Sequence, residues 1–307
     1  MKFTIYQESR IGRRKSNQDR LAYCYSRDAL LMVIADGMGG HLHGDIAAHL
    51  AVQFITGAFR REATPTLAEP AHFLSHVLMN AHGAIVDYAF DKDLDDAPRT
   101  TVVACVVQDG LAHWAHAGDS RLYLLRHGRI AAQTRDHSRV RLLMDQGLLD
   151  AEAAAHHPER NRIYSCLGGT RAPQVELSLP TPLRDKDIVA LCTDGVWGPV
   201  RDQGVVDGLA GTNVMHAVPK LLDRAEQLAG PGCDNLSMIA MCWHDESGAA
   251  HDDMDSTQTL ALDRVTTQLN VFGHAHARAP TAAGDISDDE IEKAIAEINR
   301  AIHKYSR

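Results

Sequence analysis

The sequence predicts an α+β protein, and three observations carry that reading. Strand signals follow one another through short turns: Thr100 to Val107, Leu111 to Ala117 and Arg121 to Leu125, with Gln108-Asp109-Gly110 as a hairpin turn between the first two. Helical spacing falls in stretches separate from these strands, first at residues 44–61 and 70–90. Strand ends and tight turns repeatedly carry an aspartate beside glycine, asparagine or serine, at Asp19, Asp36, Asp119, Asp194 and Asp234.

In chain order, Lys2 to Glu8 alternates as a half-buried strand does. Arg10 to Arg20 is a polar, basic loop, read equally well as a solvated loop or as an oxyanion-plus-cation site. Leu21 to Tyr25 and Leu30 to Ala35 form a hairpin whose second run ends in Asp36-Gly37-Met38-Gly39-Gly40. A carboxylate at a strand end, followed by residues that let the backbone approach closely, suits a cation or a phosphate. The plain alternative for any one such site is a glycine-rich turn with a local side-chain bond. A helix starts near Gly44-Asp45. A second, from Pro70 to Phe90, carries Phe73, Val77, Leu78, Ala81, Ile85, Val86 and Ala89 on one face.

Gly118-Asp119-Ser120-Arg121 is a tight turn between strands, and His127-Gly128 makes another before Arg129 to Thr134. A short amphipathic helix covers Ser138 to Gln146. The polar, alanine- and histidine-rich stretch that continues to Arg162 is long for a simple connection, so it is expected over a functional face. Val175 to Leu179 and Asp187 to Cys192 read as strands, the second ending in Thr193-Asp194-Gly195-Val196-Trp197. Asn213 to Ala229 is helical, Gly230 to Asn235 is a loop holding Asp234, and Leu236 to Trp243 is a further strand.

Composition narrows the class. The chain has 307 residues, 45% of them apolar and 23% charged, as a globular protein with a real core does. Its net charge of −9 argues against a nucleic-acid-binding face. No apolar run is long enough to span a membrane, and the N-terminus lacks the apolar core of a signal peptide. The 6 cysteines are scattered singly with no C-x-x-C pair, which argues against a zinc ribbon and for a reducing, cytoplasmic compartment. The 18 histidines show no metal-ligand spacing and are expected as core or surface residues.

The expected organisation is a domain over residues 1–243, an acidic and polar linker over 244–286, and an amphipathic helix over 287–307. The linker and tail hold 12 acidic and 6 basic residues. Ser287-Asp288-Asp289-Glu290 is a capping box, and Ile291, Ile295, Ile298 and Ile302 form a stripe too narrow for a core of its own. The helix is therefore expected to dock on this chain or on a partner. Thr257 and Thr259 lie in acidic sequence open to phosphorylation, although plain linker is the favoured role.

If the five aspartates meet, their charges repel unless cations sit between them. Oxygen ligands without histidine or thiolate favour Mg²⁺ or Mn²⁺ over zinc. Together with the arginine-rich loop, that fits a two-metal hydrolase acting on a phosphate ester.

The ordered set R-x-x-N-x-D (Arg14, Asn17, Asp19), D-G-M-G-G (36–40), R-T-T (99–101), G-D-S-R (118–121), T-R-D-H-S (134–138), L-G-G (167–169), T-D-G-V-W (193–197) and D-N-L-S (234–237) resembles the bacterial metal-dependent serine/threonine protein phosphatases, the PPM or protein phosphatase 2C-like family, over roughly residues 3–243. The resemblance implies a four-layer α-β-β-α sandwich of two antiparallel sheets flanked by helices. It implies two Mn²⁺ or Mg²⁺ ions and a third, weaker site. Asp36 bridges the pair, and the Gly37 carbonyl, Asp194 and Asp234 also bind. Asp19 acts in or just behind the ligand shell, and Asp119 joins Asp194 at the third site. Arg14 holds the substrate phosphate, Asn235 orients Asp234, and residues 138–162 form a flap. The implied reaction is single-step hydrolysis of phosphoserine or phosphothreonine by metal-activated water, with phosphorylated proteins and a cognate serine/threonine kinase as partners. Two departures stand out. Gln18 replaces a common glutamate and removes a charge near the ligands. Met38 stands where many eukaryotic members have a histidine proposed as general acid, so that role does not carry over. Two rival readings are a phosphoprotein-binding module without turnover, favoured only by Gln18, and a hydrolase of small phosphate esters.

Overall fold

The computed structural model describes residues 1–38, 43–94, 97–211, 213–244 and 266–269. The described residues belong to one compact unit, Met1–Leu269. The helix expected from Ser287, together with Thr257, Thr259, Gly39 and Gly40, lies outside the described residues.

This unit opens with β1 (Lys2–Arg10), β2 (Asp19–Tyr25) and β3 (Ala29–Met38), then the helices α1 (Gly44–Glu62) and α2 (Pro70–Asp91). A run of strands follows: β4 (Arg99–Thr100), β5 (Val102–Gln108), β6 (Leu111–Ala117), β7 (Arg121–Arg126) and β8 (Arg129–Gln133). Two short helices, α3 (Arg139–Asp145) and α4 (Ala151–Ala155), lead into β9 (Leu167–Gly168), β10 (Glu176–Leu177), β11 (Thr181–Pro182) and β12 (Ile188–Cys192). The order closes with α5 (Asp194–Leu209), α6 (Val214–Ala229), β13 (Leu236–His244) and β14 (Thr266–Leu269).

One antiparallel sheet runs β1-β13-β12-β7-β8. The other runs β10-β6-β5-β3-β2-β14, with β11 on β6 and β4 bridging β3 and β9. Period-two alternation sets the layers. Leu30, Met32 and Ile34 of β3 meet Val189, Leu191, Ile239 and Met241 between the sheets. On the opposite face of the first sheet, Ala190, Cys192, Met238 and Ala240 pack under α5 and α6 with Val218, Leu221 and Leu222. Leu31, Val33 and Ala35 are fully buried on the other side of β3, where α1 lies against β2 and β3 and α2 packs beside it. Both faces of the central strands are therefore apolar, and β3 reads as a continuous hydrophobic run for that reason. Each such Leu, Ile, Val or Met side chain contributes about 1.5–3 kcal/mol. The result is the expected four-layer sandwich.

Asp109 and Gly110 both have positive φ (53° and 70°), as do His127 and Gly128 (50° and 69°). Two-residue turns of that hand match the strand twist; they close β5–β6 in register and β7–β8 with a register shift between Leu124 and Leu125.

Three elements depart from expectation. The strand expected over Val175 to Leu179 shortens to Glu176–Leu177, because Ser178 turns its hydroxyl to the Trp114 amide (2.9 Å) and Pro180 has no N–H to give. Helix α5 fills a stretch to which the sequence assigns no element: its glycines and Pro199 hide the periodicity, and it kinks at Arg201 (φ 60°). Four residues of the expected linker, Thr266–Leu269, form β14 and pair antiparallel with Tyr25 to Ala22. A four-residue strand is too short to show a period, and the open edge of β2 supplies the unpaired backbone groups that receive it. Among the described residues, no helix is long and apolar enough to cross a membrane.

Candidate metal centre

Five aspartates come together at one end of the sandwich, each delivered by a different backbone device. Pairing of β2 with β3 sets Asp19 directly opposite Asp36, so both carboxylates leave the same face of the ladder. Asp194 opens α5 immediately after β12, and Asp234 lies two residues before β13. The β12–β13 pairing sets Cys192 opposite Met238, and the Thr193 amide donates to the Ser237 carbonyl at 3.1 Å. Asp119 sits in the β6–β7 turn, whose strand β7 pairs with β12 at Arg121 and Cys192.

Hydroxyls and one amide side chain lock these devices together. Thr193 Oγ1 donates to Asp19 Oδ2 at 2.9 Å and accepts the Ser237 amide at 3.1 Å. Thr100 Oγ1 donates to the Asp36 carbonyl at 2.9 Å. Thr101 Oγ1 accepts the Asp36 amide at 3.2 Å and lies 2.7 Å from Ser120 Oγ, tying β3 to the Asp119 turn. Asn235 Nδ2 donates to the Ile11 and Ser16 carbonyls at 2.9 and 3.0 Å, and its Oδ1 accepts the Gln18 amide at 2.9 Å. The Asn235 amide donates to Asp234 Oδ1 at 2.8 Å, which orients that carboxylate. Gln18 acts here through its backbone, since its carbonyl also accepts the Gly37 amide at 3.2 Å. The threonines stand in the R-T-T and T-D-G-V-W motifs, yet nothing in their spacing signals a locking role; only the pairing of distant strands creates it.

Two of the glycines beside the aspartates also let distant backbone pass close by. A Cβ on Gly37 would lie 2.2 Å from the Gly44 carbonyl oxygen, and one on Gly195 would lie 1.9 Å from that of Asn235. What approaches is the chain's own backbone, and that approach draws the acidic turns together.

The electrostatics follow. Burial pushes Asp19 up to about 7, with Asp194 and Asp234 adding to the shift against hydrogen bonds from Ser237 and Thr193. Burial, then Asp234, pushes Asp194 to about 6. Asp36 is driven well above the ordinary carboxylate range by burial and then by Asp19, Asp194, Asp119 and Asp234. Asp119 is driven up by burial and then by Asp194 and Asp136. Arg14 is the cation at the rim. Its Nε and Nη2 clasp Asp234 at 2.7 and 2.6 Å while its side chain stays 59% exposed.

Acidic groups that raise one another's proton affinity in this way, with Arg14 paired to Asp234 at the rim, are under-compensated. Their donor set is all oxygen, which suits hard divalent cations and fits Mn²⁺ or Mg²⁺. Among the described residues, His116, His137 and Glu176 are the three donor residues whose ligand atoms all lie within 4.8 Å of one another, although the sequence assigns the histidines only core or surface roles. The two imidazoles stack, with centroids 4.6 Å apart and planes at 25°, so their lone pairs run side by side and do not converge. His116 Nε2 lies 2.8 Å from the Arg135 carbonyl, and His137 Nδ1 accepts the Gly118 amide at 3.3 Å. This group braces the turn that carries Asp119.

A family model described as Protein phosphatase 2C matches residues 6–227. The serine/threonine phosphatase stp of Listeria innocua is 31% identical over 230 residues, 74% of this chain and 90% of its own. The S. agalactiae serine/threonine phosphatase superposes with a TM-score of 0.71 at 26% identity, covering 78% of this chain and 99% of that one. The catalytic domain of the serine/threonine protein phosphatase PstP, solved with two manganese ions, superposes with a TM-score of 0.65 at 25% identity over 80% of this chain and 100% of that one. The eight ordered motifs, the sandwich that gathers their aspartates and a family match across most of the length agree, and the chain belongs to the protein phosphatase 2C family.

Proposed function

We propose that this chain removes phosphate from phosphoserine and phosphothreonine in proteins, using two Mn²⁺ or Mg²⁺ ions held among Asp19, Asp36, the Gly37 carbonyl, Asp194 and Asp234, with Asp119 and Asp194 flanking a third, weaker site. As a protein phosphatase 2C member it is a metal-dependent serine/threonine protein phosphatase. The observation that carries the ligand assignment is the nearness of five acidic side chains, from one strand pair, two turns and a helix start, whose charges act on one another.

When bound, such a pair of cations neutralises phosphoryl charge and makes water a usable nucleophile at neutral pH. The chain's own groups do the rest. Asp19, Asp36 and Asp194 give up the protons that burial lets them keep, which leaves oxygen donors of fixed direction. Thr193 holds Asp19, the Asn235 amide holds Asp234, and Thr100 and Thr101 fix the Asp36 backbone. Arg14 is exposed enough to leave Asp234 and present two N–H donors to a phosphate in the same bidentate manner. Met38 carries no proton, so the leaving alkoxide takes its proton from water. No cysteine takes part: burial raises the thiols of Cys24, Cys105 and Cys192, away from the thiolate form. The phosphorylated substrates come from a serine/threonine protein kinase in the same cell.

The test is turnover of a phosphothreonine peptide with Mn²⁺ by the purified chain and by Asp36→Asn. We expect Mn²⁺-dependent release of phosphate by the parent and loss of at least ~10³-fold in the variant, the scale of removing a group that stabilises the transition state. Binding of the phosphopeptide without turnover by the parent overturns the proposal in favour of a binding module.

A further inference from the structure

Beside the metal centre lies a second feature whose chemistry points to a substrate. A cavity of about 760 Å³ opens between the base of the 138–162 segment and the β4–β9 ladder. Arg99, Arg139, Arg162 and Arg171 line it, and Glu159 is the one carboxylate among its lining residues. In a chain of net charge −9 this is a local reversal of sign.

The arginines are brought there by backbone structure. The Arg139 amide donates to the Arg162 carbonyl at 2.8 Å, and Ser138 bridges to Ile163, so the two ends of the segment meet and set both side chains at its base. Arg99 stands opposite Met38 on β3 and opposite Gly168 on β9. Its stem runs past Gly169, where a Cβ would lie 3.2 Å from Arg99 Cδ. Glu159 pairs with Arg162 at 2.5 Å, and Arg139 and Arg171 add two further guanidinium groups to the cavity wall.

Arg99 links the cavity wall to the β3 end that carries Asp36. Arg99 is next to Thr100, whose hydroxyl binds the Asp36 carbonyl. Two residues along β3 and one strand spacing separate Asp36 from Arg99, about 8 Å at ~3.3 Å per residue and ~4.8 Å per strand. An extended peptide bound at the metals places a side chain two or three residues from the phosphoresidue at this distance.

We infer that the arginine-lined cavity is a subsite for a second anionic side chain, carboxylate or phosphate, that flanks the scissile phosphoresidue of the substrate. The inference rests on the phosphatase reading and adds a substrate class to it: acidic or multiply phosphorylated segments. Guanidinium suits both anions, because its planar fork gives paired N–H donors to either. The attraction acts at an open wall and weakens with salt.

Phosphothreonine peptides test this in three versions: neutral flanks, glutamates two and three residues away on either side, and a second phosphothreonine in the same places. kcat/KM is measured with Mn²⁺ for the parent, for Arg139→Ala/Arg171→Ala and for Arg139→Lys/Arg171→Lys, each normalised to that protein's own turnover of p-nitrophenyl phosphate. The parent should prefer an anionic flank by roughly tenfold, the equivalent of about 1.4 kcal/mol. The alanine pair should lose most of that preference, and the lysine pair should keep part of it for a single charge. The stronger arm identifies the anion. Equal rates on neutral and anionic peptides by the parent, or a preference that survives in the alanine pair, overturn the subsite and leave the phosphatase reading standing. No turnover on any peptide removes that reading and this inference with it.

Discussion

Replacing Asp19 by asparagine should stabilise the metal-free protein at pH 8 while weakening its hold on Mn²⁺. In the fold the Asp19 carboxyl keeps its proton up to about pH 7, chiefly because it is buried, whereas in the unfolded chain it ionises near 3.8. Between those values the folded state binds more protons than the unfolded one, so stability falls as pH rises through the window. At about 1.36 kcal/mol per pH unit, the cost above pH 7 is about 4 kcal/mol for this group. Asparagine has no charge to desolvate, and its Oδ1 can still accept the Thr193 hydroxyl. The variant should therefore gain about 2–4 kcal/mol over the parent at pH 8 in a chelating buffer, and almost nothing at pH 4, where the parent's Asp19 is protonated in the fold. Saturating Mn²⁺ should narrow that gap at pH 8. Binding to the folded state alone adds about 2.7 kcal/mol to the parent at a hundredfold excess over Kd, and the variant, short of one ligand charge, should gain less. Urea unfolding at pH 4, 6 and 8, with chelator and with Mn²⁺, reads all of this. A variant less stable than the parent in chelator at pH 8, or a difference that ignores pH, refutes the reasoning.

Further outcomes follow from the same geometry. Thr193→Ala should cost about 1.5–3 kcal/mol by removing a hydrogen bond to a buried acid, and it should raise the Mn²⁺ concentration needed for half-maximal turnover. Gly195→Ala forces a methyl to within 1.9 Å of the Asn235 carbonyl oxygen and should lose about 1–3 kcal/mol or more in denaturant unfolding, with activity falling alongside. Arg126→Ala strands the Asp187 carboxylate, whose side chain is 1% exposed and which Arg126 clasps at 2.6 Å. A loss of about 3–5 kcal/mol is expected there, with turnover per folded molecule unchanged because the pair lies away from the carboxylate cluster.

Much of the chain was legible because its signals are local. β3 is an unbroken apolar run that both helices and the facing sheet bury, and α2 shows its buried face as a helical stripe. The hairpin turns at Asp109-Gly110 and His127-Gly128 are spelled by residues that tolerate positive φ. Helix α5 was not legible, because Gly195, Gly198, Gly204 and Pro199 erase the period on which such a reading depends. Nor was β14, whose four residues become a strand only where an open edge receives them.

The same division holds at the site. The sequence by itself determined the type of chemistry, since the ordered motifs name five aspartates and an arginine, and an oxygen-only donor set admits few cations. It could not determine that these groups meet, because Asp19 and Asp234 are separated by most of the domain. Tertiary structure decided that by register: β2 against β3 faces Asp19 to Asp36, and β12 against β13 brings Asp194 beside Asp234. It also decided which residues hold the carboxylates. The locking roles of Thr193 and Thr101 have no signature in their spacing, because a hydrogen bond across 174 or 65 positions exists only once the strands are paired.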